Sequence, residues 1–414
     1  MSVDAALNYI HSLKRFGKKP GLAQIKKLLE RLGNPQKKLR FAHVAGTNGK
    51  GSTCAYISSI LSCAGYKTGL FISPFVNVFN ERIQVNGKNI PDDDLVKFTL
   101  IVKEAAEGCV LNEFEFITAV GMMYFAHMQC DYVVLEVGLG GRYDATNAID
   151  TPEAAVIASI GIDHTEILGD TIEKIAFEKC GIIKPGGNVI AYCDNVPSVN
   201  EVIRTVAEKN EAVLTICGKE KIRILSQKPC KTVFEYDGGM YETGMCGVHQ
   251  VYNAVSAIET AKLLNIDDSF IKAGLSSAHF YGRLQIVSEN PRVIIDGAHN
   301  FSGAAALKNA LLTYFPNDEI TVVMGMLKDK EYEKCVAQIA PLAKKFIATE
   351  PDSVRKVPAS VLAETARAYN SNVIAVENRD EAIKTAVCNK NSTVCICGSL
   401  YLIGNIGTIA TCKM

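Results

Sequence analysis

At 414 residues, with 44 basic and 44 acidic side chains, the chain is long enough for two packed cores and too evenly charged to present a general footprint for nucleic acid or an anionic membrane. Fourteen cysteines are scattered through it without a CxxC pair, only Cys395 and Cys397 standing close together, which argues against a zinc site or a secreted disulfide scaffold and for reduced thiols in a cytoplasm. The first residues, MSVDAALNYIHSLKRF, carry Asp4 and lack the apolar run of a signal peptide, and no run of about 18 apolar residues follows anywhere to span a bilayer.

In chain order, the apolar run RFAHVAG (40–46) reads as a buried strand and leads into AGTNGKGST (45–53). A standard Walker A loop is G-x-x-x-x-G-K-[ST]; here Ala45 stands where its first glycine would, and Gly51 separates Lys50 from Ser52 and Thr53. The next segment, CAYISSILSCAGY, has apolar residues at helical spacing. Strand, glycine loop and helix N-terminus is the setting of a phosphate cradle, because backbone N–H groups and the helix dipole converge on the anion there. Lys50 can neutralise phosphate charge, and Ser52 or Thr53 can reach a magnesium ion. An ordinary glycine-rich turn is the alternative, and the lysine and two hydroxyls weigh against it.

TGLFIS (68–73) and DYVVLEVG (131–138) are the next strands, the second carrying Glu136 ahead of the loop GLGGRYDATN (138–147). That loop is not a dinucleotide fingerprint, since Gly138 and Gly140 are followed by Gly141-Arg142-Tyr143. Glu136 is either a satisfied strand-end carboxylate or a magnesium ligand at the sheet edge where doubly wound folds bind ligands. AAVIASIG (154–161) runs into IGIDHTEILGD (160–170), which sets Asp163 and His164 just past another strand end, and GNVIAYC (187–193) follows. Strands alternating with helical segments predict a parallel sheet with helices on both faces. Residues 212–246 change to short alternating strands around turns such as Asp237-Gly238-Gly239, a small antiparallel excursion, and a helix is expected over 249–264. The alternation restarts near residue 283 with RLQIVS, PRVIIDGA, a helix from 301, EITVVMGM (319–326), KKFIATE, NVIAVE and STVCICG (392–398), so a domain boundary is expected near 279–283.

The blocks HVAGTNGKGST, SPFVNVFNERI, LEVGLGGRYDATN, IGIDHTEILGDTIEKIAFEKCGIIKPG, HQVYNA, GRLQIV and DGAHN, in this order, resemble the folylpolyglutamate synthase and dihydrofolate synthase branch of the Mur ligase family, from the first helix to at least residue 300. That family writes its phosphate loop G-T-N-G-K-[GT]-S, which accounts for the departure from Walker A. The fold this implies is α/β: an N-terminal P-loop-type parallel-sheet ATPase domain over residues 1–280 and a smaller, C-terminal, Rossmann-like α/β ligase domain over 281–414. The activity it implies is ATP-dependent amide ligation. A carboxylate of dihydropteroate or a reduced folate attacks the γ-phosphate to give an acyl phosphate, and the amino group of L-glutamate displaces phosphate from it.

By the same resemblance ATP would be held by Gly46, Thr47, Asn48, Gly49, Lys50, Gly51, Ser52 and Thr53, and from the second domain's side of a cleft by Asn253, Arg283, Asp296 and His299. One magnesium ion would be held by Ser52 and Ser73 with Glu136, and a second by Glu136, His164 and an N-carbamylated Lys179. Lys50, Lys179 and His164 would be catalytic. Without the resemblance Lys179 would read as a solvated helix lysine paired with Glu178 or Glu173. Phe75, Phe79, Arg82, Phe114 and Asp144 are candidates for the pterin end, with Phe116 a further ring that could stack. Phe301 and Phe280-Tyr281 stand where relatives often carry proline and tryptophan-proline. A cytoplasmic monomer is expected, with no nucleic-acid or membrane partner, and the resemblance leaves a potassium ion open as a further cofactor. Another Mur-type amino-acid ligase, or a non-catalytic ATP-binding protein of the same fold, would share most of these residues; the first would normally carry an extra N-terminal domain, and only about 40 residues precede the first strand here.

Overall fold

Short β-branched and aromatic runs, most of them buried on both faces, form the strands of the computed structural model, which describes residues 1–13, 21–388, 393–404 and 406. The larger sheet is built from β1 (Phe41–Ala45), β2 (Thr68–Phe71), β3 (Ile83–Val85), β4 (Lys88–Asn89), β5 (Tyr132–Glu136), β6 (Ala154–Ile157), β7 (Asn188–Ala191) and β8 (Val213–Ile216). Its order is β4-β3-β2-β5-β1-β6-β7-β8, parallel from β2 to β8 with β3 and β4 as an antiparallel edge. Chain direction across the sheet reverses at β1, which lies between β5 and β6. In open α/β sheets the crevice beyond such a strand is where ligands bind.

One face of this sheet is covered by a core that includes Phe71, Phe98, Phe116 and Phe125, the other by one that includes Ile175, Ile182, Val199 and Ile203. A three-stranded sheet follows, β9 (Ile222–Lys228), β10 (Lys231–Tyr236) and β11 (Gly239–Thr243), whose two-residue connections make it antiparallel. By compactness the chain divides into one unit of Met1–Arg223, Phe234–Glu242 and Val251–His279 and a second of Ile224–Val233, Thr243–Gln250 and Phe280–Met414. The second unit's sheet runs β12-β13-β17-β14-β15-β16, from β12 (Gln285–Glu289), β13 (Arg292–Asp296), β14 (Ile320–Met324), β15 (Ala343–Ala348), β16 (Val373–Ala375) and β17 (Thr393–Cys397), parallel except for the β12–β13 hairpin.

Two features differ from the sequence expectation. Val213–Ile216 is not part of the antiparallel excursion but the parallel edge of the large sheet, because its backbone pairs with β7. The β3–β4 hairpin was not expected; its signal is the Asn86-Gly87 pair, both residues at positive φ, 48° and 73°, as a tight primed turn requires. Ser392, with which the expected last strand begins, lies outside the described residues.

Beneath the large sheet's C-terminal edge runs a buried polar chain. Asp144 Oδ1 accepts the Thr146 hydroxyl proton at 2.6 Å, so the Thr146 oxygen must accept from His43 Nε2 at 2.8 Å, which fixes the ring as the Nε2–H tautomer. Burial, with the nearby Lys184 charge, pushes the His43 pKa down to about 3. The unfolded chain therefore takes up a proton near pH 6.5 that the folded chain refuses until about pH 3, and stability falls as pH drops through that window by up to about 1.4 kcal/mol per pH unit. His43→Gln keeps a donor for Thr146 without a titrating ring. Its urea-unfolding free energy is expected to fall less steeply between pH 6.5 and 4 than that of the parent, and parallel curves would show that His43 does not carry this pH dependence.

Candidate active site

β1 delivers the chain into residues 46–49, and the helix Lys50–Cys63 starts immediately afterwards. Gly49 takes the left-handed conformation, φ 81°, that turns strand into helix, and no side chain caps the helix, so its first-turn N–H groups face the loop. Close packing shapes the cradle. A Cβ on Gly46 would stand 2.8 Å from the Ala158 methyl, and one on Gly49 would stand 2.4 Å from Asn253 Oδ1. Thr47 and Asn48 turn their N–H groups to Ser159 O, at 2.7 and 3.2 Å, and the Thr47 hydroxyl exchanges hydrogen bonds with the Gly161 backbone. Thr47 and Asn48 thus anchor the loop to the end of β6. Ser52 and Thr53 are buried in the first helical turn.

Two ammonium groups meet at the base of this loop. Lys50 Nζ donates to Gly46 O and Thr47 O, at 3.1 and 3.2 Å, and Lys179 Nζ donates to the same Gly46 O at 2.8 Å. Lys179 ends the helix Ile172–Lys179 and is 4 % exposed, so it is not a solvated lysine. Burial first, and then the Lys50 charge, bring its pKa down to about 7, with Asp163 and Asp144 opposing. Asp163 was not singled out from the sequence as a site residue. It also accepts the His164 N–H at 2.9 Å and lies 3.9 Å from the ring Nε2. His164 itself has a left-handed backbone, φ 53°, at the head of the helix Thr165–Leu168, with its side chain 43 % exposed.

Glu136 closes β5 next to Val44 of β1 and is buried. Its Oε2 accepts the Ser73 N–H at 2.9 Å, which brings the segment after β2 to the same sheet edge. Glu136, Ser52 and Ser73 are hard oxygen donors of the kind magnesium prefers, whereas Lys179 as an ammonium is not a ligand. Among the described residues no three His, Cys, Asp or Glu side chains cluster as a ready-made metal cage.

The aromatic candidates fall into two places. Phe75 and Phe79 pack edge to face at 5.6 Å with the Arg82 guanidinium over both rings, and both phenylalanines line a cavity of about 510 Å³ with Leu7, His11, Asn80 and Asp92. Phe114 instead presses on Gly138, where a Cβ would lie 2.5 Å from its ring. Asp144 is buried, its Oδ2 accepting the Leu139 N–H at 2.8 Å, so both carboxylate oxygens brace the loop 138–147 from within, and burial raises its pKa. Phe116 is a core residue, fully buried against Tyr9.

In the second unit, Asp296 ends β13 buried, accepting from the Leu284 and Ala298 N–H groups at 2.8 Å each, and burial raises its pKa against the nearby Arg283 charge. Arg283 lies over the Phe280 ring at 5.6 Å. His299 directs Nδ1 to Gly297 O at 2.8 Å, and Asn300 caps the helix Phe301–Tyr314 through the Gly303 N–H.

Comparison with known proteins gives two family matches: the Mur ligase middle domain over residues 44–261 and the Mur ligase, glutamate ligase domain over 282–400. The dihydrofolate synthase/folylpolyglutamate synthase of Bacillus subtilis is 39 % identical over 426 residues, covering 97 % of both chains. The crystal structure of folylpolyglutamate synthase from Thermotoga maritima superposes with a TM-score of 0.86 at 32 % identity, covering 98 % of this chain and 95 % of that one. E. coli FolC in complex with DHPP and ADP gives 0.87 at 30 %, covering 97 % and 96 %.

Gly49→Ala tests the cradle. A left-handed alanine costs about 1–2 kcal/mol before its clash with Asn253 is counted. Gly65→Ala is the control, since φ there is 87° and a Cβ meets nothing within 4 Å. Both variants are expected to lose some thermal stability, and only Gly49→Ala to lose at least about tenfold in ATP-dependent kcat/KM. Equal turnover in the two would show that the contact with Asn253 does not shape the site.

Proposed function

The chain belongs to the Mur ligase family, and from that premise we propose that it is an ADP-forming amide ligase that joins L-glutamate both to dihydropteroate and to reduced folates, with ATP as the energy source. The observation that carries this reading is the pairing of Lys50 and Lys179 on one carbonyl at the foot of a glycine loop, beside the buried Glu136. The division of labour follows as a proposal: residues 1–280 hold most of the nucleotide, residues 281–414 form the glutamate-ligase part, and Arg283, Asp296 and His299 are nucleotide contacts. Asn253, whose side chain packs close to Gly49, is proposed as a further nucleotide contact.

The reaction brings an anionic carboxylate onto an anionic triphosphate, so the first task is to offset charge. Lys50 is released from its loop carbonyls to meet the γ-phosphate, while the first-turn N–H groups of its helix receive the phosphate oxygens. Proton balance places the leaving proton on glutamate's amine, which must be neutral to displace phosphate. His164, beside Asp163, is the proposed group at that step. Magnesium fits the oxygens of Ser52, Ser73 and Glu136, and when bound it supplies further charge compensation at the phosphates. Lys179 would complete that set only once its ammonium had given up one proton and the neutral amine had taken up carbon dioxide, with loss of a second proton, as a carbamate. This exchanges the second of two crowded positive charges for a negative one. A potassium ion is a further candidate cofactor. Phe75, Phe79 and Arg82 beside their cavity, and Phe114 at Gly138, are the proposed surroundings of the pterin. None of the thirteen cysteines among the described residues is in a disulfide, and among those residues no helix is long and apolar enough to cross a membrane; the proposed setting is a cytoplasmic enzyme with small-molecule partners. We place it there as a monomer.

Glutamate-dependent phosphate release measured with dihydropteroate, tetrahydrofolate and a uridine-linked muramyl acceptor tests the substrate class. Turnover with the two pteroyl acceptors and none with the third is expected, and the reverse pattern would assign the chain to a cell-wall ligase. Lys50→Ala is expected to keep its fold and lose about 100- to 1000-fold in kcat. Lys179→Ala is expected to be nearly inactive and partly restored by acetate, which supplies the carboxylate the side chain no longer carries. Full activity in Lys179→Ala without acetate would eliminate the carbamate.

A further inference from the structure

Away from the phosphate loop, the second unit brings two cysteines into contact. Cys230 occupies the turn between β9 and β10 with a left-handed backbone, φ 57°, and its N–H donates to Cys246 Sγ at 3.0 Å. An N–H touching a sulfur leaves the two Cα atoms no further apart than that contact plus three bonds, an upper bound whose range includes the spans a disulfide bridges.

The two thiols differ in access. Cys230 is exposed, whereas Cys246 is buried in the core formed by Leu284, Ile294 and Tyr314 among others. The neighbouring Cys246 side chain holds the Cys230 thiol down to about 6 against burial and the Glu289 charge, while the Cys230 side chain and burial push Cys246 up. Both segments are pinned by one hydroxyl. Tyr314 Oη accepts the Gly247 N–H at 2.8 Å, lies 3.3 Å from Thr232 Oγ1 and accepts from Gln227 Nε2 at 3.4 Å. The hairpin that carries Cys230 and the turn that carries Cys246 are therefore already ordered against each other, and joining them costs little further ordering.

We propose that Cys230 and Cys246 form a peroxide-responsive dithiol in which Cys230 is the reacting sulfur and Cys246 the resolving one. The Cys230 thiolate attacks hydrogen peroxide, gains one oxygen as a sulfenic acid and releases hydroxide, which the proton lost from the thiol neutralises. Cys246 sulfur then displaces that oxygen as water, its own proton leaving with it. Two thiols and one hydrogen peroxide give one disulfide and two waters; the sulfurs are oxidised and the peroxide reduced. A small dithiol such as dithiothreitol reverses the bridge by exchange. A transient bond of this kind suits a chain whose other described cysteines are not in disulfides.

The test uses the full-length reduced protein, treated at neutral pH with limiting hydrogen peroxide, alkylated and mapped by mass spectrometry. A cross-linked Cys230–Cys246 peptide pair, lighter by two hydrogens and restored by dithiothreitol, is expected. Cys230 is expected to oxidise at least about tenfold faster than the other exposed thiols, Cys63 and Cys388, because more of it is thiolate. Cys246→Ser should leave Cys230 trapped as a sulfenic acid that dimedone labels. The rate comparison needs only the parent protein and so stands whether or not that variant folds. Cys230 reacting no faster than Cys63 and Cys388, or oxidising onward to sulfinic acid without a bridge in the parent protein, would overturn the proposal.

Discussion

Two lysine amines sharing one peptide oxygen is the constraint on which the proposed site is built. Lys50 and Lys179 both lie about 3 Å from Gly46 O, and Lys179 has almost no access to water. At an effective dielectric near 20, like charges this close repel by on the order of 3 kcal/mol, and burial of the second adds to that. A fold keeps such an arrangement only where something else is gained. In the proposed site the gain is an ammonium, Lys50, held ready for an incoming phosphate, and a low-pKa amine, Lys179, that is open to the proposed carbamate. The low pKa of Lys179 records the same conflict from the side of the amine.

The cradle can hold its charges because its backbone cannot relax away from them. Gly46 rests on Ala158 and Gly49 on Asn253, while Gly141 lies under the backbone of Lys179, where a Cβ would come 2.6 Å from its carbonyl. These contacts tie the ends of β1, β5 and β6 to the helix Ile172–Lys179 and the helix that carries Asn253. The buried chain from His43 through Thr146 to Asp144 fixes the intervening loop 138–147. Its members touch no proposed substrate atom, yet they set where Glu136 and the loop after it come to rest.

Much of this frame could be read from the sequence because it is local. Strand, glycines and helix follow one another within 23 residues, from Phe41 at the head of β1 to the end of the helix at Cys63. The alternation of apolar runs likewise predicted the two parallel sheets. What the sequence hid is long-range. His43 and Thr146 are 103 residues apart, and nothing near either foretells the pair. Asp144, read as a ligand contact, is consumed by its own loop, and Phe116, read as a ring that could stack, lies in the core; a polar or aromatic residue looks the same in sequence whether it faces a ligand or the interior. Val213–Ile216 was misassigned because a four-residue run carries no mark of the neighbour it pairs with. The Asn86-Gly87 turn, by contrast, was a local signal that short flanking strands made easy to pass over.

The central claim is that the acceptor's carboxylate attacks the γ-phosphate above this pair of lysines. Labelling both carboxylate oxygens of the pteroyl acceptor with oxygen-18 and analysing the phosphate released during ligation tests it most directly. An acyl-phosphate route transfers one labelled oxygen from carboxylate to phosphate in each turnover, and the amide keeps the other. Phosphate released without label, from an enzyme that still forms the amide, would mean that water or another group accepts the phosphoryl and would contradict the account.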